Sequence, residues 1–203
     1  MSAAPQSATA GTPTRRALAR VLHAAPARPV WSDAPISRDV LEQVHALMSL
    51  GPTMVDASPT RVLFLNSRLA KARLAPLLPE RARDEVLAAP AYAIVGYDVD
   101  FAEQLVEFLP RVTSVRSCFD DPEIVRQTAA RNGALQGAYL IVAARSLGLE
   151  AAALPEFDEA GVSFEFFHAP RVRANFLCSL GYPAEPASRR ASNRSELGRV
   201  ADP

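Results

Sequence analysis

Apolar residues recur along the chain in two rhythms. After Ser37, the positions Leu41, Val44 and Met48 repeat at helical spacing until Gly51-Pro52 interrupts them. Ser37 suits the N-cap of this helix, and Asp39 and Glu42 bring negative charge to its start, where the helix dipole favours it. Arg61-Val-Leu-Phe-Leu-Asn66 and Ala91-Tyr-Ala-Ile-Val-Gly-Tyr97 are instead short continuous apolar runs between turn residues. That pattern predicts strands covered on both faces. Ser67 to Leu78 reads as a helix broken by Pro76 and Pro79, and Phe101 to Leu109 as a short helix.

Pro122 is placed to open a long helix that runs to Leu147, with Gly148 as its stop. Its apolar positions include Ile124, Leu135, Ala138, Val142 and Leu147, and one face is rich in small residues: Ala129, Ala130, Gly133, Ala134, Gly137 and Ala138. Small residues let another backbone come close, which suits either a tightly packed internal helix or a dimer interface. Leu149 to Leu154 reads as a short strand or extended segment, Asp158 to Phe167 as a short helix, and Asn175 to Tyr182 as a last strand. Strands separated by helices predict an α+β domain, a sheet flanked by helices. Residues 1–14 read as a disordered tail, 15–182 as the domain and 183–203, which are Arg/Ser-rich, as an extended C-terminal arm.

Composition narrows the function classes. Lys+Arg and Asp+Glu each number 22 in 203 residues, so no basic excess draws the chain to nucleic acid or an anionic membrane. Lys71 is the only lysine. Cys118 and Cys178 have neither CxxC spacing nor a neighbouring His pair, which predicts reduced, packed thiols and no zinc site or other metal centre. No apolar run reaches the roughly 20 residues needed to cross a bilayer, and the N-terminus lacks an apolar signal core, so the expected location is the cytoplasm.

The P-loop, GxGxxG, GxSxG and HExxH patterns are absent from the sequence. His23, His45 and His168 are scattered, and His45, beside the apolar stripe of its helix, reads as structural. Asp120-Asp121 ahead of Pro122 reads as helix capping rather than a paired-carboxylate site.

Four blocks in order carry a resemblance. Leu50-Gly-Pro-Thr-Met-Val-Asp-Ala-Ser-Pro-Thr-Arg61 ahead of a buried strand resembles the G/A-P-(T/S)-S-x-N-x-Q/S-P-W/A-R signature of the nitroreductase family. Arg131 to Leu149 resembles its long central helix, and Phe157-Asp158 and Asn175 to Tyr182 resemble its later F-D and N-x-x-x-x-x-G-Y blocks. Within the family the chain is most similar to the malonic semialdehyde reductases of pyrimidine degradation, the RutE type. The shared features are Trp31, the G-P-T…S-P-x-R run and the R-N-x-x-x-Q-x-A-Y-L-I-V-A helix. The resemblance implies the nitroreductase-like flavin-reductase fold, a mostly antiparallel sheet flanked by helices, and a homodimer with FMN at its interface. NAD(P)H would be the reductant and a small aldehyde such as malonic semialdehyde the small-molecule substrate.

The same resemblance implies the flavin contacts, position by position. Arg28 would serve where the family's N-terminal arginine is replaced by Pro26. Thr53, Asp56, Ser58 and Arg61 fall in the signature run, with Met54 at its serine and Asp56 at its asparagine, so a carboxylate acceptor replaces an amide. Pro155 falls where a backbone N–H is expected to meet the flavin N5, and proline has none. Glu156 replaces the adjoining glycine, and a one-residue gap restores an N–H there. Arg190 and Arg194, with Arg189, stand at the family's phosphate clamp, whose lysine is Ala187 here and whose P-R proline is Asn193; a solvated basic tail is the other reading. No catalytic side chain is singled out. Two functions stay open: an FMN-dependent NAD(P)H oxidoreductase, or a flavin-free member of the fold acting as a ligand-binding, regulatory or hetero-oligomer subunit.

Overall fold

The computed structural model describes residues 13–22, 29–54, 57–103 and 119–184. Helix α1 spans Arg15–Leu22 and α2 spans Arg38–Met48. Ser37 caps α2 as predicted, its hydroxyl accepting from the Val40 N–H at 3.3 Å. Strand β1 (Thr60–Leu65) leads into α3 (Arg68–Leu74), a 3-10 turn at Ala75–Leu77, α4 (Glu80–Ala88) and β2 (Ala91–Asp98). The long helix α5 (Pro122–Ser146) precedes β3 (Glu150–Leu154), α6 (Glu159–Val162), a π-helical turn at Ser163–Phe167 and β4 (Val172–Gly181).

The sheet is antiparallel throughout, in the order β1-β2-β4-β3. Alternation along the inner strands sends side chains to two separate cores. On one face, Ala91, Ala93 and Val95 of β2 and Cys178 and Leu180 of β4 pack with Leu41, Val44 and Met48 of α2 and Leu140, Ala143 and Ala144 of α5. On the other, Tyr92, Ile94 and Leu177 meet Leu74, Leu78, Ala82 and Val86 from α3, the turn after it and α4. Each fully buried Leu, Ile or Val in these layers contributes about 1.5–3 kcal/mol relative to exposure. A buried pair, Arg145 with Glu150 at 3.1 Å, ties α5 to β3, and Arg145 also donates to the Val21 carbonyl of α1 at 3.2 Å.

The structure corrects several expectations. β1 meets both layers, Val62 and Phe64 packing on one core and Leu63 and Leu65 on the other, but among the described residues it is an edge strand, half-buried over most of its length. The break expected in Ser67–Leu78 is present: α3 ends at Leu74, and Pro76, without an N–H to extend the α pattern, sits in the tighter turn that follows. The α4 helix was not foreseen, since Ala82 and Val86 are its only buried residues among many charges. The Asp158–Phe167 segment is α-helical only to Val162, and β4 begins at Val172 rather than Asn175. In α5 the buried stripe is Ala129, Asn132, Gly133, Gln136, Gly137, Leu140, Ala143 and Ala144. Ile124 and Ala138 lie exposed instead. The reason is that two buried amides, invisible to a search for apolar periodicity, belong to this face. Asp121 does cap α5, accepting from the Glu123 N–H at 2.8 Å, and Gly148 ends it at φ +86°. Cys178 is buried and free, as expected, whereas His45 and His168 are exposed. The Phe101–Leu109 helix is described only at 101–103, which are helical. Cys118, His23 and most of both terminal segments lie outside the described residues.

Candidate functional site

Helix α5 projects Asn132, Gln136 and Tyr139 toward one connection, residues 51–60. Their spacing of i, i+4 and i+7 sets them on one helix face. The Asn132 side chain accepts from the Met54 N–H at 2.9 Å and donates to the Met54 carbonyl at 3.2 Å. Gln136 accepts from the Thr60 N–H at 3.4 Å and donates to the Ser58 hydroxyl at 3.4 Å. The Tyr139 hydroxyl donates to the Pro52 carbonyl at 2.8 Å, while its ring covers Gly51 so closely that a Cβ there would stand 2.0 Å from it. Asn132 and Gln136 are almost fully buried, at 0% and 3% exposure, so these amides are held for the loop rather than for solvent.

Among the sequence-predicted residues, Thr53 is half-buried between Pro52 and Met54, whose backbone groups α5 already holds. Ser58 is exposed at the loop's end. The Arg61 guanidinium turns back, donating to the Ser58 and Thr60 carbonyls at 3.3 and 3.1 Å and pairing with Asp98 at 2.8 Å. Pro155 and Glu156 follow β3 and are both exposed. The Glu156 carboxylate is paired with Arg81 of α4, and the next turn is pinned by the Asp158 N–H donating to the Leu77 carbonyl at 2.8 Å. Arg28, Asp56, Arg190 and Arg194 lie outside the described residues, as does Pro26.

The structure therefore splits the predicted contacts. Thr53 and Ser58 are tethered to α5 beside edge strand β1, whereas Pro155 and Glu156 follow edge strand β3 and are tethered to α4 and the turn before it. Three strand spacings, about 14 Å, separate the two edges, and α5 and α4 cover opposite faces of the sheet. Two open clefts, of about 450 and 520 Å³, lie elsewhere around Arg173. One is lined by Asp100, Phe119 and Arg126, the other by Phe164 and His168, and neither contains Thr53, Ser58, Pro155 or Glu156.

These residues are compatible with a flavin, with one substitution of donor. Among the described residues the Glu156 N–H makes no hydrogen bond, so this loop keeps a backbone donor one position after Pro155. Its carboxylate, matched by Arg81, does not confront the site as an unpaired charge. Sequence reasoning missed Asn132, Gln136 and Tyr139 as site-forming residues. The signal was present as polar groups at helical spacing inside a small-residue stripe.

Among the described residues no group of three or more His, Cys, Asp or Glu is placed to hold a metal ion, and no helix is long and apolar enough to cross a membrane. Burial raises the Cys178 thiol from 9.0 to about 12. The Tyr92 hydroxyl rises from 10.0 to about 12, chiefly through burial and then through the charge of Glu85. Burial lowers the Lys71 amine below its usual 10.5. All three are core groups rather than reagents. Lys71 donates to the Leu87 and Ala89 carbonyls at the end of α4, at 3.1 and 2.5 Å.

No protein-family model matches the chain. A Stenotrophomonas maltophilia protein provisionally named NADH dehydrogenase/NAD(P)H nitroreductase is 42% identical over 172 residues, covering 84% of this chain and 87% of its own length. HadB of Ralstonia pickettii, with the same provisional name, is 41% identical over 155 residues, 75% of this chain and 79% of its own. A solved nitroreductase family protein of Streptococcus pneumoniae superposes with a TM-score of 0.76 at 17% identity, over 92% of this chain and 98% of that one. A provisionally assigned nitroreductase of Exiguobacterium sibiricum, solved in complex with FMN, gives 0.70 at 19% identity, over 89% and 94%. The fold is thus nitroreductase-like, and the extent and level of identity to the curated relatives place the chain in the NAD(P)H nitroreductase family.

Proposed function

We propose that the protein is an FMN-dependent NAD(P)H oxidoreductase that reduces a small aldehyde such as malonic semialdehyde. The observation that carries this reading is the hold of Asn132, Gln136 and Tyr139 on residues 51–60. A buried amide pair spent on one connection makes sense where that connection must meet a ligand in a fixed geometry. The names of the curated relatives support the reductant, and the G-P-T…S-P-x-R run with the R-N-x-x-x-Q helix supports the semialdehyde reductases as the subgroup. The working location would be the cytoplasm.

When bound, FMN supplies the hydride-accepting and hydride-donating centre between NAD(P)H and the substrate. The protein's part is binding and orientation. Thr53 and Ser58 offer hydroxyls from the loop on α5, the Glu156 N–H offers a backbone donor from the opposite edge, and Arg28, Arg190 and Arg194 are the candidates for the phosphate. Because the two described groups occupy opposite edges and faces of one sheet, a single flavin would draw them from two copies of the chain. The homodimer is therefore part of the proposal. An apolar surface on α5 formed by Ala134, Leu135, Ala138, Ile141 and Val142, exposed or half-buried in one copy, suits the joining face.

Pro155 favours a second reading, a flavin-free subunit on the same scaffold, because it has no N–H where one is expected. Incubating the purified protein with FMN separates the two. The oxidoreductase reading expects quenched flavin fluorescence, a raised melting temperature and bleaching of the bound flavin by NAD(P)H. A colourless protein that leaves FMN fluorescence and its own melting temperature unchanged would sink it. Sedimentation showing only monomer would remove the two-copy site.

A further inference from the structure

Asp98 ends β2 with 0% exposure, and every hydrogen-bonding group it turns toward β1 and β4 is engaged. Its Oδ2 pairs with Arg61 at 2.8 Å and Arg171 at 3.4 Å, its Oδ1 accepts from the Asp100 N–H at 3.0 Å, and its own N–H donates to the Pro59 carbonyl at 2.8 Å. Arg61 passes the constraint onward, since its other guanidinium nitrogen reaches the Ser58 and Thr60 carbonyls at 3.3 and 3.1 Å. The loop that α5 grips from one side is thus gripped from the other by a buried carboxylate acting through an arginine.

We infer that Asp98, acting through Arg61, is the positioning residue that fixes the Ser58 end of the flavin-contacting loop. The geometry stands without any ligand; only its consequence for flavin affinity rests on the reading given under the proposed function. A carboxylate withheld from water is costly unless paired, and here two guanidinium groups and a backbone N–H match it. Without that charge, Arg61, whose side chain is 33% exposed, loses a charge-assisted contact, and its hold on both loop carbonyls weakens. Among the described residues no contact joins Asp98 to β3, so residues 150–154 lie outside its reach, whereas Arg171, just before β4, loses the same partner.

Asp98→Asn keeps the shape and an acceptor for the Asp100 N–H while removing the charge. In the flavin-free protein, amide hydrogen exchange over residues 52–61 is expected to speed by about tenfold or more, with residues 150–154 unchanged, as fits the loss of a charge-assisted contact. With FMN, the Kd is expected to rise by about tenfold or more, the same interaction being lost to the bound state. Arg61→Lys serves as a second variant should Asp98→Asn fail to fold. It leaves Asp98 a cation but not the fork that reaches the carbonyls, and the same local loosening is expected. Unchanged exchange over 52–61, or equal acceleration over 150–154, overturns the inference. If the wild-type protein binds no FMN, the flavin reading falls while the exchange measurement still decides the positioning role. If it binds FMN and Asp98→Asn leaves the Kd unchanged, the positioning claim falls and the flavin reading stands.

Discussion

Replacing Asn132 by alanine removes the central tether of the candidate site. Two hydrogen bonds are lost, from the Met54 N–H at 2.9 Å and to the Met54 carbonyl at 3.2 Å, each worth about 1 kcal/mol net. Asn132 is 0% exposed, so the truncation also leaves a small void, while Met54, 43% exposed, allows water to recover part of the loss. A total of about 2–3 kcal/mol follows from those terms. In a chain of this length it lowers the melting temperature by about 4–12 °C. Asn132→Asp sharpens the reasoning. It keeps an acceptor for the Met54 N–H but sets a carboxylate against the Met54 carbonyl in a dry site, so it should destabilise more than alanine at neutral pH. Protonation gives the side chain a donor again, so the gap between the two variants should narrow toward acid pH. Thermal melts across pH, with hydrogen exchange over residues 51–60, measure both effects. An Asn132→Ala melt within about 1 °C of wild type, with unchanged exchange in that loop, would refute the tether.

Gly137→Ala gains up to about 1 kcal/mol of helix propensity but sets a Cβ 2.4 Å from the Phe176 ring, and the resulting overpacking of about 1–3 kcal/mol should win; a higher melting point would contradict that close approach. Cys178 and Tyr92 hold their protons to about 12 in the folded chain but give them up near 9 and 10 when unfolded. The unfolded state then binds fewer protons, so stability present below pH 9 is lost as pH rises through about 12, at up to about 1.4 kcal/mol per unit for each group. Cys178→Ala should flatten that alkaline slope, and an identical slope in chemical denaturation between pH 9 and 12 would count against it. Lys71→Met removes the cation from the Leu87 and Ala89 carbonyls and leaves both without their donor, at a cost of about 1–3 kcal/mol; unfolding by urea unchanged in midpoint would contradict this.

Much of the architecture was legible because it depends on local chemistry. Ser37, Asp121 and Gly148 mark helix ends through capping groups and a positive φ, and the run from Ala91 to Tyr97 declares a buried strand by its continuous apolar character. The same local logic missed that β1 stays half-buried at the edge of the described sheet, since apolar character does not report whether another strand lies beyond it, and missed α4, whose many charges mask the two residues, Ala82 and Val86, that it buries against the sheet.

The sequence by itself determined the capped ends of α2 and α5, the buried run of β2 and, through four ordered blocks, the family. Tertiary structure alone decided which polar groups face one another. Asn132 and Met54 are 78 positions apart, Arg61 and Asp98 37, and Arg81 and Glu156 75, and none of these pairs follows from either residue's own preference. Hydrogen bonds and ion pairs act over a few ångströms, so their partners are chosen only when the sheet order and the docking of α5 bring remote segments together.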